Sequence, residues 1–437
     1  MKKMILLIFF FPVAGLALDT LSLDLVLSQT EGPIGLIESY RKALKNNERV
    51  AGAQESYLQA LYYRKQVGSV LLPDITLEGI YFQQEQIPSA GLSGQSFLLS
   101  TRRTYYAKIE QTLFNGFRER NGLKYAGHLL QASEQNLRQE RDDLLIDVAA
   151  AFYDSLKLQR EVETLEDSLR LQRERLREVE ARQKIGLARR TEVLLIETQV
   201  ANDEAQLIRS KNGLQTARER LNFLVGESLE GRLVDDVEEV APTLETELLI
   251  QNALHARADL READGQVAAA RSNVSVIRGE YLPELELTGN VYARREGIQS
   301  PVSWDVEVSV KLPIFFGSDI RARELQARSK LRQAELSRQQ LERQIHLEVK
   351  TALLDWLTSD ALIISLQKEE DLAQENYDLI EEEYRIGLAT NLEVLTSYIL
   401  WENARLELEK EKINRKFAWM RLQTALGENP AMEGSKQ

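Results

Sequence analysis

Cysteine is absent from the 437 residues of this chain. That excludes a disulfide framework, thiolate metal sites and cysteine nucleophiles, and with them a lipid anchor on an N-terminal cysteine. Proline is scarce and unevenly placed: there are 9, none between Pro88 and Pro242 and none between Pro313 and Pro430. Two such stretches, rich in Leu, Ala, Glu, Gln and Arg, favour long helices. Only three histidines occur, His128, His255 and His346, scattered along expected helices. No phosphate-binding Gly-rich loop, serine elbow or His-Glu-x-x-His pattern accompanies them, so neither an enzyme nor a metal or cofactor site is expected. Positive charge is in deficit, 55 Lys and Arg against 68 Asp and Glu, which disfavours nucleic acid as a partner because phosphate binding needs a basic face. After the N-terminus no apolar run of about 18 residues exists, so no transmembrane helix is expected.

Residues 1–17 read as an export signal. Lys2 and Lys3 precede an apolar run from Ile5 to Val13, and Gly15-Leu16-Ala17 offers small residues at the cleavage offsets. The mature chain is expected to start after Ala17.

What is present is said twice. Leu113-Phe114-Asn115-Gly116 returns as Ile314-Phe315-Phe316-Gly317, and Ile185-Gly186-Leu187-Ala188 returns unchanged as Ile386-Gly387-Leu388-Ala389. Each pair is 201 residues apart, and the register holds to Gly226-Glu227 and Gly427-Glu428. A register without insertions means two copies of one structural unit with helices of matched length, expected at 18–228 and 229–437.

Four short segments break the helical texture. Asp74 to Phe82, Tyr105 to Leu113, Glu284 to Arg294 and Trp304 to Leu312 alternate apolar with polar or charged residues. That period marks strands. About ten residues also suffice for a tilted strand to cross a bilayer, and Tyr81, Phe82, Tyr105, Tyr106, Tyr292 and Trp304 stand where an aromatic girdle would be. Each pair forms a hairpin (about 74–113 and 284–312) opened by a Leu-Pro step, Leu72-Pro73 and Leu282-Pro283. The first hairpin has nine more residues than the second, within the polar Gln83 to Arg103 stretch.

Helices are expected over Leu36–Leu71, Arg118–Gln183 and Thr191–Leu224, echoed by Leu248–Tyr281, Asp319–Arg385 and Leu392–Leu426. Two short helices end to end match one long one, so each repeat supplies two staves of equal length. Four strands cannot close a barrel, and an open edge in lipid leaves backbone groups unpaired. Several copies must therefore join. A soluble periplasmic coiled-coil adaptor or structural rod is the alternative that the helices alone leave open, and a secreted enzyme is a remoter one.

The doubled Leu-Pro steps, the Phe-Asn-Gly and Phe-Phe-Gly turns, the Ile-Gly-Leu-Ala tips and the repeat ends resemble, in order and doubling, the TolC family of outer membrane efflux and secretion channels. The resemblance covers about Ala43 to Glu428. It implies an α+β membrane protein: a homotrimer with a 12-stranded β-barrel, four strands per chain, continuous with a long periplasmic α-helical barrel. It also implies residence in the outer membrane lipid and two partners, a periplasmic adaptor and an inner-membrane transporter of RND, ABC or MFS type. The function implied is a passive exit duct of a tripartite efflux pump or type I secretion system.

The tips are the candidate sites. Gly186 and Gly387 permit chain reversal, which leaves Leu187 and Leu388 exposed at the end of a rod. In the family such tips meet the adaptor. By the same resemblance Thr191, Glu192, Tyr384 and Glu393 are expected at the gate and entrance. Two positions depart from the pattern of some relatives, Ala389 where an Arg stands and Thr396 where a further acid stands, so Arg189 or Arg190 is expected to hold the closed state instead.

Overall fold

A computed structural model describes residues 32–85, 101–241, 245–297 and 299–433. The expected export signal at 1–17 lies outside the described residues, as does most of the longer first hairpin loop. The elements run α1 (Leu36–Asn46), α2 (Glu48–Ser69), β1 (Asp74–Gln83), β2 (Thr101–Asn115), α3 (Arg118–Lys184), α4 (Arg190–Val225), α5 (Thr246–Ala256), α6 (Ala258–Gly279), β3 (Glu284–Arg295), β4 (Trp304–Lys311), α7 (Asp319–Arg385), α8 (Asn391–Ala425) and α9 (Pro430–Glu433).

The two hairpins join along β2 and β3 into one antiparallel sheet, order β1-β2-β3-β4. Its register sorts the side chains cleanly. Ile75 faces Ile109, Leu77 faces Ala107, Leu285 faces Val310 and Leu287 faces Val308. This apolar face is bare: Leu77 is 87% exposed, and Ile75, Val306, Val308 and Val310 are all exposed. On the opposite face the Tyr106 hydroxyl donates to Glu78, and Asn290 and Tyr292 donate to Asp305 at 2.8 and 2.9 Å. Apolar residues shun only the hydrated side, so the solvent of the bare face is lipid and that of the charged face is water.

Three expected girdle residues, Phe82, Tyr106 and Tyr292, are placed differently. Tyr106 and Tyr292 lie on the charged face, ring centroids 5.4 Å apart, with their hydroxyls on carboxylates. Successive strand residues point to opposite faces, so Tyr105 and Tyr106 divide between lipid and water, as do Tyr81 and Phe82.

The long helices α3 and α7 are 67 residues each, about 100 Å at 1.5 Å per residue. The repeat extends to backbone dihedrals. Gly116 and Gly317 have φ of 60° and 62°, Gly186 and Gly387 of 79° and 83°, Gly226 and Gly427 of 77° and 80°. At Gly116 space is also at a premium: a Cβ would sit 2.1 Å from the Gly279 carbonyl oxygen. There the strand-to-helix turn of one repeat crosses the helix end of the other.

The expected Leu36–Leu71 and Leu248–Tyr281 helices are each broken in two. Asn47 is extended (ψ 124°) and its side chain caps α2 by accepting from the Arg49 N–H at 3.0 Å. Arg257, extended with ψ 132°, holds Asp259 and Glu348 with its guanidinium, each at 2.6 Å. Neither position carries the Gly or Pro that usually marks a break; an Asn N-cap followed by Glu is the signal that could have shown the first.

Between the repeats an irregular belt, residues 229–240, wraps the middle of the helices. Leu233 exchanges hydrogen bonds with the Gln159 amide at 3.0 and 3.1 Å. Arg232 reaches Glu163 at 3.0 Å, Asp236 accepts from the N-terminal N–H of α1 at 2.8 Å, and Trp419 donates to the Val240 carbonyl at 2.8 Å. Lys416 pairs with Asp235, and burial lowers the Lys416 pKa. The largest core cluster lies at this level, with Tyr40, Leu144, Leu145, Phe152, Tyr153 and Met420 almost fully buried.

Candidate functional site

Both helix pairs end in the same reversal. The Gly186 N–H donates to the Gln183 carbonyl at 2.9 Å and the Leu187 N–H to that of Arg182 at 2.8 Å. In the second repeat Gly387 bonds Tyr384 at 3.1 Å and Leu388 bonds Glu383 at 2.9 Å. This is the left-handed glycine stop of a helix C-terminus. A Cβ at either glycine meets nothing within 4 Å, so dihedral strain is the whole requirement. Around the glycines the tips are apolar and bare: Leu187 is 74% and Leu388 76% exposed, flanked by exposed Ile185 and Ile386. Within one chain these side chains have no packing role.

The four expected gate residues divide. Glu192 and Glu393 sit at the third position of α4 and α8 and reach back over the helix start. Glu192 accepts from the Arg189 N–H at 3.2 Å; Glu393 accepts from the Thr390 N–H at 2.6 Å and its hydroxyl at 2.8 Å. The Thr390 backbone bond, then its hydroxyl, hold the Glu393 carboxyl below the usual range. Both acids thus complete helix caps while Glu393 stays exposed to water. Thr191 is exposed in the first turn of α4.

Tyr384 is half-buried, with the guanidinium carbons of Arg175 and Arg182 at 5.4 and 5.0 Å from its ring centroid. Arg175 also donates from two nitrogens to the Asn391 side-chain oxygen, each at 3.3 Å. Helix α3 of the first repeat therefore clasps the α7–α8 hairpin of the second. The expected arginines do not do this: Arg190 pairs instead with Glu197 at 3.6 Å. The clasp joins residues 216 apart, a distance no local pattern spans.

Above the clasp a polar knot ties α3, α4 and α8. The Tyr398 hydroxyl donates to Ser168 at 2.6 Å. Burial raises the Glu402 pKa, opposed by a hydrogen bond from Ser168 and by the charge of Arg405 and reinforced by Asp203. Burial likewise raises the Asp203 pKa, opposed by Gln199. One carboxylate oxygen on each acid is buried without a hydrogen-bond partner, an arrangement that favours the protonated form. Folding therefore shifts both acids toward the protonated form. Their burden is absent below the unfolded carboxyl pKa, grows as pH rises, and is complete above the raised folded pKa. Thermal stability of the helical part should fall as pH rises through that window. Asp203→Asn with Glu402→Gln should flatten the slope, read as melting of the helical circular dichroism at pH 5 against pH 8; an unchanged slope would remove the knot as its cause.

Comparison with known proteins gives the geometry a family. The family model for outer membrane efflux proteins matches residues 39–227 and 249–428, one match per repeat. The outer membrane efflux protein BepC of Brucella suis is 26% identical over 68% of this chain and 66% of its own. The alkaline protease secretion protein AprF of Pseudomonas aeruginosa is 23% identical over 92% of this chain and 86% of its own. Among solved structures, the outer membrane protein VceC of Vibrio cholerae superposes with a TM-score of 0.77 at 18% identity, covering 90% of this chain and 96% of that one. The chain belongs to the outer membrane efflux protein family: it is an outer membrane channel protein whose helices extend into the periplasm.

Proposed function

We propose that three copies of this chain close into one duct, which passively carries substrates from an inner-membrane transporter to the outside. One observation carries the reading: among the described residues the long helices of the two repeats are packed unequally. Helix α3 lies between α2 and α4 of its own repeat and α6 and α8 of the other. Its repeat mate α7 packs on α6 and α8 of its own repeat and, among the described residues, has no comparable packing against α2 or α4. That helix exposes Leu325, Leu336, Leu347, Leu354, Leu372 and Leu379, while Tyr62 on α2 and Ile208 on α4 are exposed in turn. In the sheet, β1 and β4 are edges. A second copy placed as α3 stands to α6 fills all of these at once.

The copy number follows from the lumen. Two copies give eight strands, a barrel whose interior side chains fill; three give twelve and leave room for water. This agrees with the trimer that the family resemblance implies. The energy for transport comes from the inner-membrane partner of RND, ABC or MFS type, and the exposed Ile185, Leu187, Ile386 and Leu388 at the tips are the surface that fits a periplasmic adaptor. Whether the cargo is drug-like or a protein is a property of those partners, since relatives named for efflux and for protease secretion share this fold.

The clasp adds Arg175 and Arg182 to the proposed gate of Thr191, Glu192, Tyr384 and Glu393. Arg175 and Arg182 on Tyr384, with Arg175 on Asn391, restrain the α7–α8 tip; cation–π contacts of this kind contribute about 0.5–1 kcal/mol each when exposed. A few such contacts hold a closed state that adaptor docking can release by a hinge at Gly387. Glu393, ionised to lower pH than an ordinary glutamate, supplies negative charge at the same entrance.

Repeat equivalence fixes a test of assembly. A Cβ on Gly265 would lie 3.1 Å from the Ala132 Cβ, and the equivalent positions are Glu55 and Gln333. In this cysteine-free chain, Glu55→Cys with Gln333→Cys should oxidise to covalent dimers and trimers on a denaturing gel; monomer alone would contradict the seam. Leu187→Asp with Leu388→Asp should leave that trimer intact and abolish cross-linking to the adaptor, and unchanged cross-linking would place docking elsewhere. In planar bilayers Arg175→Gln should raise single-channel conductance several-fold, and Glu393→Gln should weaken cation preference. Conductance and selectivity equal to wild type would remove the clasp and the acid from the entrance.

A further inference from the structure

The outer end of the sheet, the end remote from the helices, carries charge that a conduit does not use. Four arginines stand there: Arg102, Arg103, Arg294 and Arg295. Cross-strand partners share a face, and the register divides the four. Arg102 faces Phe82 and Arg295 faces Thr104, on the charged side; Arg295 lies over the Tyr292 ring at 4.1 Å and pairs with Asp305 at 3.3 Å. Arg103 faces Tyr81 and Arg294 faces Tyr105. Those tyrosines share the face of Ile75, Leu77 and Val306, so two guanidiniums per chain are on the lipid side.

Their height is set by the strand. Tyr81 and its partner Arg103 lie six residues above the Ile75 row, and the apolar face starts four residues below it, at Leu285 and Val310; that is about 33 Å of strand at 3.3 Å per residue, or about 25 Å in height at a tilt of about 40°. An outer-membrane barrel has an apolar band about 25 Å tall that ends in aromatic rows. Exposed Tyr81 and Tyr105 are such a row, and Arg103 and Arg294 stand with them, where hydrocarbon gives way to headgroups.

Neither arginine is spent inside the chain in a way that explains its place. The Arg103 guanidinium lies over the Tyr81 ring at 5.9 Å and forms no ion pair among the described residues. Glu296 takes one bond from the Arg103 backbone N–H at 2.8 Å and pairs with the Arg294 side chain at 2.5 Å. One carboxylate against two guanidiniums leaves a net positive charge and fixes Arg294 beside the Arg103 backbone. A planar guanidinium offers parallel N–H groups that match phosphate oxygens, and the bond is strongest where water is sparse.

We propose that Arg103 and Arg294 of each chain bind the phosphate of an outer-leaflet lipid headgroup and so hold the barrel at a fixed depth. The free phosphate ion has the same chemistry, but the lipid-side placement favours a headgroup anchored in the band below.

The test uses the full channel purified in detergent, with bound lipid counted by native mass spectrometry. The probes are diphosphoryl lipid A, its dephosphorylated form and inorganic phosphate. Wild type should retain at least tenfold more of the phosphorylated lipid than of the dephosphorylated one. Arg103→Gln with Arg294→Gln should lose that preference, and Arg102→Gln on the charged face should keep it. Equal retention of both lipids by wild type, or an undiminished preference in the double variant, would overturn the proposal. So would displacement of the lipid by an equal concentration of inorganic phosphate, which would mark a free-anion site. The wild-type comparison stands even if the double variant fails to fold.

Discussion

An unpaired backbone amide in hydrocarbon costs several kcal/mol because no water can satisfy it. A four-stranded sheet with a bare apolar face and two free edges is therefore not a finished object in a membrane. That constraint orders the rest. In the proposed assembly the sheet closes with other copies, its charged face encloses water, and the helices that follow each hairpin form a wall of the same symmetry. The matched 67-residue lengths of α3 and α7 answer to this need, since staves of unequal length would leave the wall ragged.

The repeat makes one chain both a template for the assembly and an incomplete piece of it. Where the first repeat meets the second, Gly116 presses on Gly279; where the second repeat ends, Gly317 holds the same dihedral angle over open space. Glycine at Gly317 has no reason within the chain apart from its φ, and the crossing at Gly116 shows what a neighbour would place there. Stability is spread in the same way. Core clusters are strung along the wall, and the belt at 229–240 ties them at mid-height by bonds from Gln159, Asp235, Asp236 and Trp419.

Much of this was legible in sequence because long regular elements write themselves locally. Proline-free stretches ended by Gly186 and Gly387 gave the helices, and alternation gave the strands within a residue or two at most ends. What stayed hidden was non-local or unmarked. The β2–β3 pairing joins residues nearly two hundred apart. The breaks at Asn47 and Arg257 carry no glycine or proline. The acidic belt reads as solvated charge until Lys416 and Arg415 are brought to it. At the tips the exposed leucines and the capping acids were visible, whereas Arg175 and Arg182 lie among many helix-surface arginines, and only the register of α3 against α8 singles them out.

The central claim is that closure by several copies, and not any chemistry within one, makes this chain functional. The mass of the detergent-purified mature protein tests it most directly. A single species of three chains that requires an amphiphile to remain in solution is expected. A monodisperse single chain, soluble without one, would contradict it.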